Sequence, residues 1–183
     1  KAGQQIAGET VQLTSDHIII LEGIHGLDPR LLPKPLSGHA FRIYAAALTQ
    51  LNLDRHNRVS TADTRLIRRI VRDSRERGYT AQQTISRWES VRRGEELYIF
   101  PYQENADVMF NTALVYELSA LQPLAEPLLR QVPRGTAEYR EAKRLLAFLE
   151  WFLPVKAELI PDNSILREFV GGSILEDFKI WKV

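Results

Sequence analysis

The stretch Ser60–Tyr79 concentrates the side chains of this chain most able to do chemistry. Arg65, Arg68, Arg69, Arg72 and Arg75 recur there at helical spacing. At about 100° per residue they fall on one side of a helix whose other side carries Leu66, Ile67, Ile70 and Val71. Ser60 with Asp63 makes a capping-box-like opening, and Gly78 stands where such a helix ends. Guanidinium groups stay charged and need partners, so the arginine row is not a core face. Its nearly pure arginine content points to phosphate, whose oxygens the guanidinium fork matches in a bidentate way. The plainer reading is a solvated face tied down by Asp63, Asp73 or Glu76, acids within helical reach of the row.

A second candidate is Glu22. It follows His17-Ile18-Ile19-Ile20-Leu21 and precedes Gly23-Ile24. An unbroken β-branched run of this kind predicts a strand covered on both faces, as in a parallel α/β sheet. Ligand crevices in open α/β sheets lie outside the carboxyl ends of the strands, where Glu22 would then sit. Other chemistries find little support. The four histidines (His17, His25, His39, His56) show no metal-ligand spacing, and no G-x-S-x-G, G-x-G-x-x-G or G-x-x-x-x-G-K-[ST] is present. A strand-end acid, an arginine row and a Gln/Arg-bearing helix together fit phosphoryl transfer. That reaction needs positive charge over the equatorial oxygens and a carboxylate in the metal shell, with little covalent help from the protein.

The totals set the frame for these residues. The chain has 183 residues with 24 Lys+Arg against 23 Asp+Glu, a net charge of +1. That near-neutral balance disfavours a general nucleic-acid binder and makes any basic function local. With 0 Cys there is no disulfide frame and no thiolate metal site, which fits a reducing compartment. No apolar run approaches the ~20 residues of a membrane span, so a cytoplasmic, membrane-free protein is expected.

Several elements have to position the candidates. Thr10–Leu13 alternates apolar and polar residues, followed by a turn at Ser15-Asp16. Phe41–Ala47 predicts a second buried strand, and residues 48–58 an irregular polar connection. After Gly78, Thr80 caps a helix over Ala81–Val91 that carries Gln83, Arg87 and Trp88. Ala106–Thr112 predicts a third strand. Helical spacing returns over Leu114–Val132, interrupted by Pro123 and Pro127. Thr136–Phe152 is the clearest amphipathic helix, with Tyr139, Ala142, Leu145, Leu146, Leu149 and Phe152 along one stripe. A short helix over Ser164–Phe169 and a tail or strand over Glu176–Trp181 close the chain. The order of strand, strand, helices, strand and helices gives an α/β fold with a parallel sheet.

Three motifs carry a family resemblance. Asp63-Thr64-Arg65-Leu66-Ile67-Arg68-Arg69-Ile70-Val71-Arg72-Asp73, followed by Arg75-Glu76-Arg77-Gly78, resembles the lid segment D-x-R-L-x-R-R-x-x-R-D-x-x-E-R-G of the phosphoribulokinase/uridine kinase family of P-loop kinases. Ile18–Ile24 resembles that family's strand ending in E-G-I, and Pro101 with Ala106-Asp107-Val108 its P-x-x-x-x-A-D-V. Ala47–Asn52 and Asn163–Phe169 resemble a bacterial nucleoside-kinase-like subgroup, in which the kinase follows an N-terminal domain related to threonyl-tRNA synthetase.

The resemblance implies an ATP- and Mg²⁺-dependent kinase acting on the 5′-hydroxyl of a nucleoside, uridine or cytidine. Glu22 would be a Mg²⁺-shell carboxylate. Arg68, Arg72 and Arg77 would close over the phosphates, and Arg65 and Gln83 would sit near the nucleoside. Residues 1–113 would be the lid-containing part of the kinase domain, and 114–183 a helical C-terminal extension packed on it. The phosphate loop and the catalytic Asp would then lie upstream of Lys1, leaving 1–183 inactive alone with an incomplete sheet. An open sheet edge leads to an expectation of self-association. The alternatives are an RNA- or phosphate-binding module and a degenerate kinase with a structural role.

Overall fold

A computed structural model of the chain describes residue 12 and residues 14–31 and 38–176. The alternating segment Thr10–Leu13 and the tail Glu176–Trp181 therefore lie largely outside the described residues.

Local cap chemistry sets the boundaries of the arginine helix. Helix α1 spans Thr61–Arg77. Ser60 is its N-cap, and the Ser60 hydroxyl accepts the Asp63 N–H at 3.2 Å. Asp63 does not complete a capping box. Its carboxylate instead accepts both guanidinium nitrogens of Arg144 at 2.7 and 2.8 Å. Gly78 ends the helix at φ +65°, where its N–H reaches the Asp73 carbonyl. A side chain there would meet open space, so the requirement for glycine is conformational.

Helix α2 spans Ala81–Tyr98 and starts with a full capping box. The Thr80 hydroxyl accepts the Gln83 N–H at 3.2 Å, and the Gln83 side-chain oxygen accepts the Thr80 N–H at 2.9 Å. The helix runs well past the expected end at Val91. Gly94 does not stop it, and the chain turns only at a 3₁₀ segment, Phe100–Asn105, with Pro101 in its first turn.

Strands β1 (Ile43–Ala46) and β2 (Val108–Asn111) form a parallel pair with Ile43 opposite Val108 and Ala46 opposite Asn111. Side chains clamp both ends of this pair. The Asp107 carboxylate accepts the Arg42 N–H at 2.6 Å. At the carboxyl end, Asn111 accepts from Leu48 N–H and donates to the Leu48 carbonyl, each at 2.9 Å. Asn111 thus satisfies a backbone beyond the ladder much as another strand would. The expected α/β fold with a parallel sheet is present.

The strand expected over Ile18–Ile24 is not. This run is irregular, and Ile18, Ile19, Ile20, Leu21 and Ile24 are 59% to 81% exposed. The described sheet consists of β1 and β2, and neither takes this run as a neighbour. Strand propensity expresses packing against neighbours, and among the described residues no element covers either face here.

Helix α3, Glu117–Arg130, passes through both Pro123 and Pro127 without interruption. Pro123 cannot donate to the Ser119 carbonyl, and the Val155 N–H fills that acceptor from outside at 2.9 Å. Helix α4 spans Ala137–Leu149, ending short of the predicted Phe152, and helix α5 is a single turn over Arg167–Val170. Ala142, Leu145 and Leu149 of the α4 stripe are buried, with Tyr139, Leu146 and Phe152 packed at the margin. One core joins them to Leu66, Ile67 and Ile70 of α1, Leu118, Leu121 and Leu129 of α3, and Leu166 and Phe169 around α5. The apolar side of α1 is therefore sealed, and its arginine side is fixed in direction.

Candidate functional site

Arg68 links the arginine row to the carboxyl end of the parallel pair. Its side chain reaches inward. It donates to the Thr112 carbonyl at 2.8 Å and the Thr112 hydroxyl at 3.2 Å, just past β2, and to the Glu117 carboxylate at the start of α3. Its guanidinium also sits 5.3 Å from the centre of the Phe169 ring. The Arg68 side chain is 12% exposed and that of Glu117 2%. Glu117 Oε1 and Arg68 Nε have no hydrogen-bond partner, so this buried pair is only partly satisfied.

The other arginines sit nearer solvent. Arg72 donates to Glu168 of α5 at 2.7 Å and lies 3.9 Å from Glu76. Arg75 donates to the backbone carbonyls of Glu168 at 3.1 Å and Arg167 at 3.4 Å, and lies 3.6 Å from Glu176. Arg69 and Arg77 share Asp73, which is buried and also accepts the Thr84 hydroxyl. Arg65 pairs with Glu95 of α2. The side chains of Arg72, Arg75 and Arg77 are about two-fifths exposed.

The predicted set is therefore only partly gathered. Arg68, Arg72 and Arg77 lie along α1, with Arg68 turned into the protein. Of the acids within helical reach, Asp73 and Glu76 take arginines of the row, but Asp63 pairs with Arg144 of α4. Two carboxylates, Glu141 first and Asp63 second, raise the Arg144 guanidinium above its usual range. Gln83 is engaged in the cap of α2, so reaching a nucleoside would mean giving up the Thr80 contact. Glu22 is exposed in the irregular segment, and among the described residues no ion pair joins it to the row. Glu95, Glu117 and Glu168 escaped the sequence reading because they lie far along the chain from the arginines they hold. The sole local hint was an acid in the first turn of α3, a favourable place for Glu117.

A shallow cleft of about 270 Å³ lies at the other end of α1, lined by Leu53, Asp54, Asn57, Arg58, Ser60, Asp63, Phe148 and Trp151. Its one arginine, Arg58, is spent on the Thr49 carbonyl, so the cleft lacks the cationic chemistry of the row.

The sequence model of the phosphoribulokinase/uridine kinase family matches residues 3–119, well over half of the chain. The chain belongs to the phosphoribulokinase/uridine kinase family. Comparisons with curated proteins and with solved structures returned no match. This family consists of kinases that use ATP on a P-loop fold. The match takes in α1, α2 and both strands and ends at the first turn of α3. Arg68 and its acid Glu117 fall inside the matched region, whereas Glu168 lies outside it. Two local features fit a phosphorylated ligand. Guanidinium groups line one helix face, and one of them, Arg68, reaches the residue just past the carboxyl end of β2. Among the described residues no group of three His, Asp or Glu side chains is placed to hold a metal. A family Mg²⁺ would suit this donor set only when ligand phosphates supply most of its oxygens. No described helix is long and apolar enough to cross a membrane.

Proposed function

We propose that this chain carries the phosphate-closing helix of a kinase that transfers the γ-phosphoryl group of ATP to the 5′-hydroxyl of a nucleoside, uridine or cytidine. The supporting observation is the construction of α1. One side is locked into the core by Leu66, Ile67 and Ile70, the opposite side presents Arg72 to solvent, and Arg77 is held part-exposed by Asp73 at the last turn.

In this reading Arg72 and Arg77 donate to non-bridging phosphate oxygens and neutralise the charge that spreads over the transferred group. Asp73 holds Arg77 from behind, which limits the reorganisation needed when phosphate arrives. Arg68 anchors α1 to the end of β2, and it meets a phosphate directly only by leaving Glu117. Arg65, held by Glu95 late in α2, and Gln83, in the first turn of α2, stand about 18 Å apart along that helix, and each is assigned to the nucleoside side once freed from Glu95 or Thr80. Mg²⁺ bound with ATP would offset charge on the β- and γ-phosphates, and Glu22 is the carboxylate assigned to its shell. We further assign 1–113 to the kinase domain, 114–183 to a helical extension, and the whole to the subgroup with a threonyl-tRNA-synthetase-related domain. That subgroup reading rests on Ala47–Asn52 and Asn163–Phe169.

The test is a phosphoryl-transfer assay on the gene-encoded protein with ATP, Mg²⁺ and a panel of nucleosides. Turnover with uridine or cytidine is the expected result. Turnover confined to sugars or to other nucleosides would discard the substrate assignment and keep the kinase.

A further inference from the structure

The acids and carbonyls on the arginine row come from two parts of the chain. Asp73, Glu76, Glu95 and Glu117 lie inside the family match, and Glu168, with the end of α5, lies beyond it. Leu166 and Phe169 bury this turn in the core at 0% and 6% exposure, and Glu168 projects from between them onto Arg72. The Glu168 and Arg167 carbonyls occupy Arg75, and the Phe169 ring lies over Arg68. One short segment therefore covers three of the arginines on a single helix face. It supplies oxygen acceptors where a phosphate would otherwise supply them. The Glu168 carboxylate is 45% exposed, so it can turn into water while its backbone stays anchored.

We propose that α5 is a built-in counter-anion, in which Glu168 occupies the Arg72 fork and an oligophosphate ligand must displace it to bind. This inference rests on the reading of α1 as a phosphate-binding helix. The exchange is one oxygen acceptor for another on the same guanidinium, with no covalent step. It holds the row paired without ligand and makes phosphate affinity depend on the segment beyond residue 119. Glu76, at 3.9 Å from Arg72, is the looser competitor on the same group.

The test is calorimetric titration of inorganic tripolyphosphate into the full chain at low ionic strength, for wild type and the variants E168Q, E76Q, R72A and R72A/E168Q. An exposed ion pair sets the expected scale, so E168Q should bind about two- to five-fold more tightly than wild type. E76Q should gain clearly less, and R72A should lose about ten-fold or more, as for a hydrogen bond to a charged group. The gain from E168Q should vanish in the R72A background. Equal gains in E168Q and E76Q would mean that net charge alone acts, and would overturn the counter-anion role. So would an R72A loss accompanied by no gain in E168Q, which leaves the phosphate site standing. An R72A variant that binds like wild type would remove the phosphate site itself, and the proposal with it.

Discussion

Replacing Arg68 by alanine should be among the most destabilising single changes in α1. Glu117 is 2% exposed, and its Oε2 accepts from both Arg68 and the Leu114 N–H. Removing the guanidinium leaves that carboxylate buried without its counter-charge and frees the Thr112 carbonyl. Breaking a buried pair from one side costs about 3–5 kcal/mol. With a urea m-value of about 2 kcal/mol/M, the unfolding midpoint should fall by about 2 M. The unpartnered Glu117 Oε1 and Arg68 Nε lead to a second, opposite expectation. An incompletely satisfied pair repays its desolvation poorly, so R68M/E117L should lie within about 1 kcal/mol of wild type or above it. Urea unfolding followed by circular dichroism reads both. A midpoint shift below about 0.5 M for R68A, about 1 kcal/mol, would show a pair that solvent reaches and would refute the reasoning.

Other perturbations test separate parts of the account. G78A should cost about 1 kcal/mol in a thermal or urea melt, since alanine must hold φ +65° with no clash to blame. P123A should stabilise by less than about 1 kcal/mol, well short of the ~3 kcal/mol of a helix-interior proline, because the Val155 N–H already satisfies Ser119. A hydrogen bond from the Arg30 side chain, then one from its backbone, lowers the Asp28 carboxyl from 3.8 to about 2. Its folded value is below the unfolded one, so this contact stabilises fully above about pH 4 and is lost as pH falls through about 2. Arg30 also donates to the Tyr102 hydroxyl at 3.3 Å, so the Tyr102 ring resonance should titrate with a midpoint near 2. A midpoint near 3.8 would show that the contact does not form.

The sequence was most legible where chemistry is local. The Ser60 and Thr80 hydroxyls and the positive φ of Gly78 are decided within a few residues, and the ends of α1 and the start of α2 follow from them. The buried stripe of α4 needed only periodicity. Long-range partners escaped. The run Ile18–Ile24 has the composition of a covered strand, but composition cannot supply a covering layer. The prolines of α3 looked like interruptions, because the Val155 N–H that replaces a missing donor lies on a later loop. At the candidate site the arginine row was readable as a row. Which acid each arginine holds was not, since Glu95, Glu117 and Glu168 approach from other helices.

The most direct test of α1 as a phosphate-closing helix is the effect of R72A, made in the gene-encoded protein, on kcat for phosphoryl transfer from ATP·Mg²⁺ to uridine or cytidine. Arg72 is a partly exposed surface residue, so its loss should leave the melt nearly unchanged. A fall in kcat on the order of 10³ in a folded R72A protein is the predicted result. Turnover at the wild-type rate would contradict it and leave the arginine row a solvated face held by its own acids.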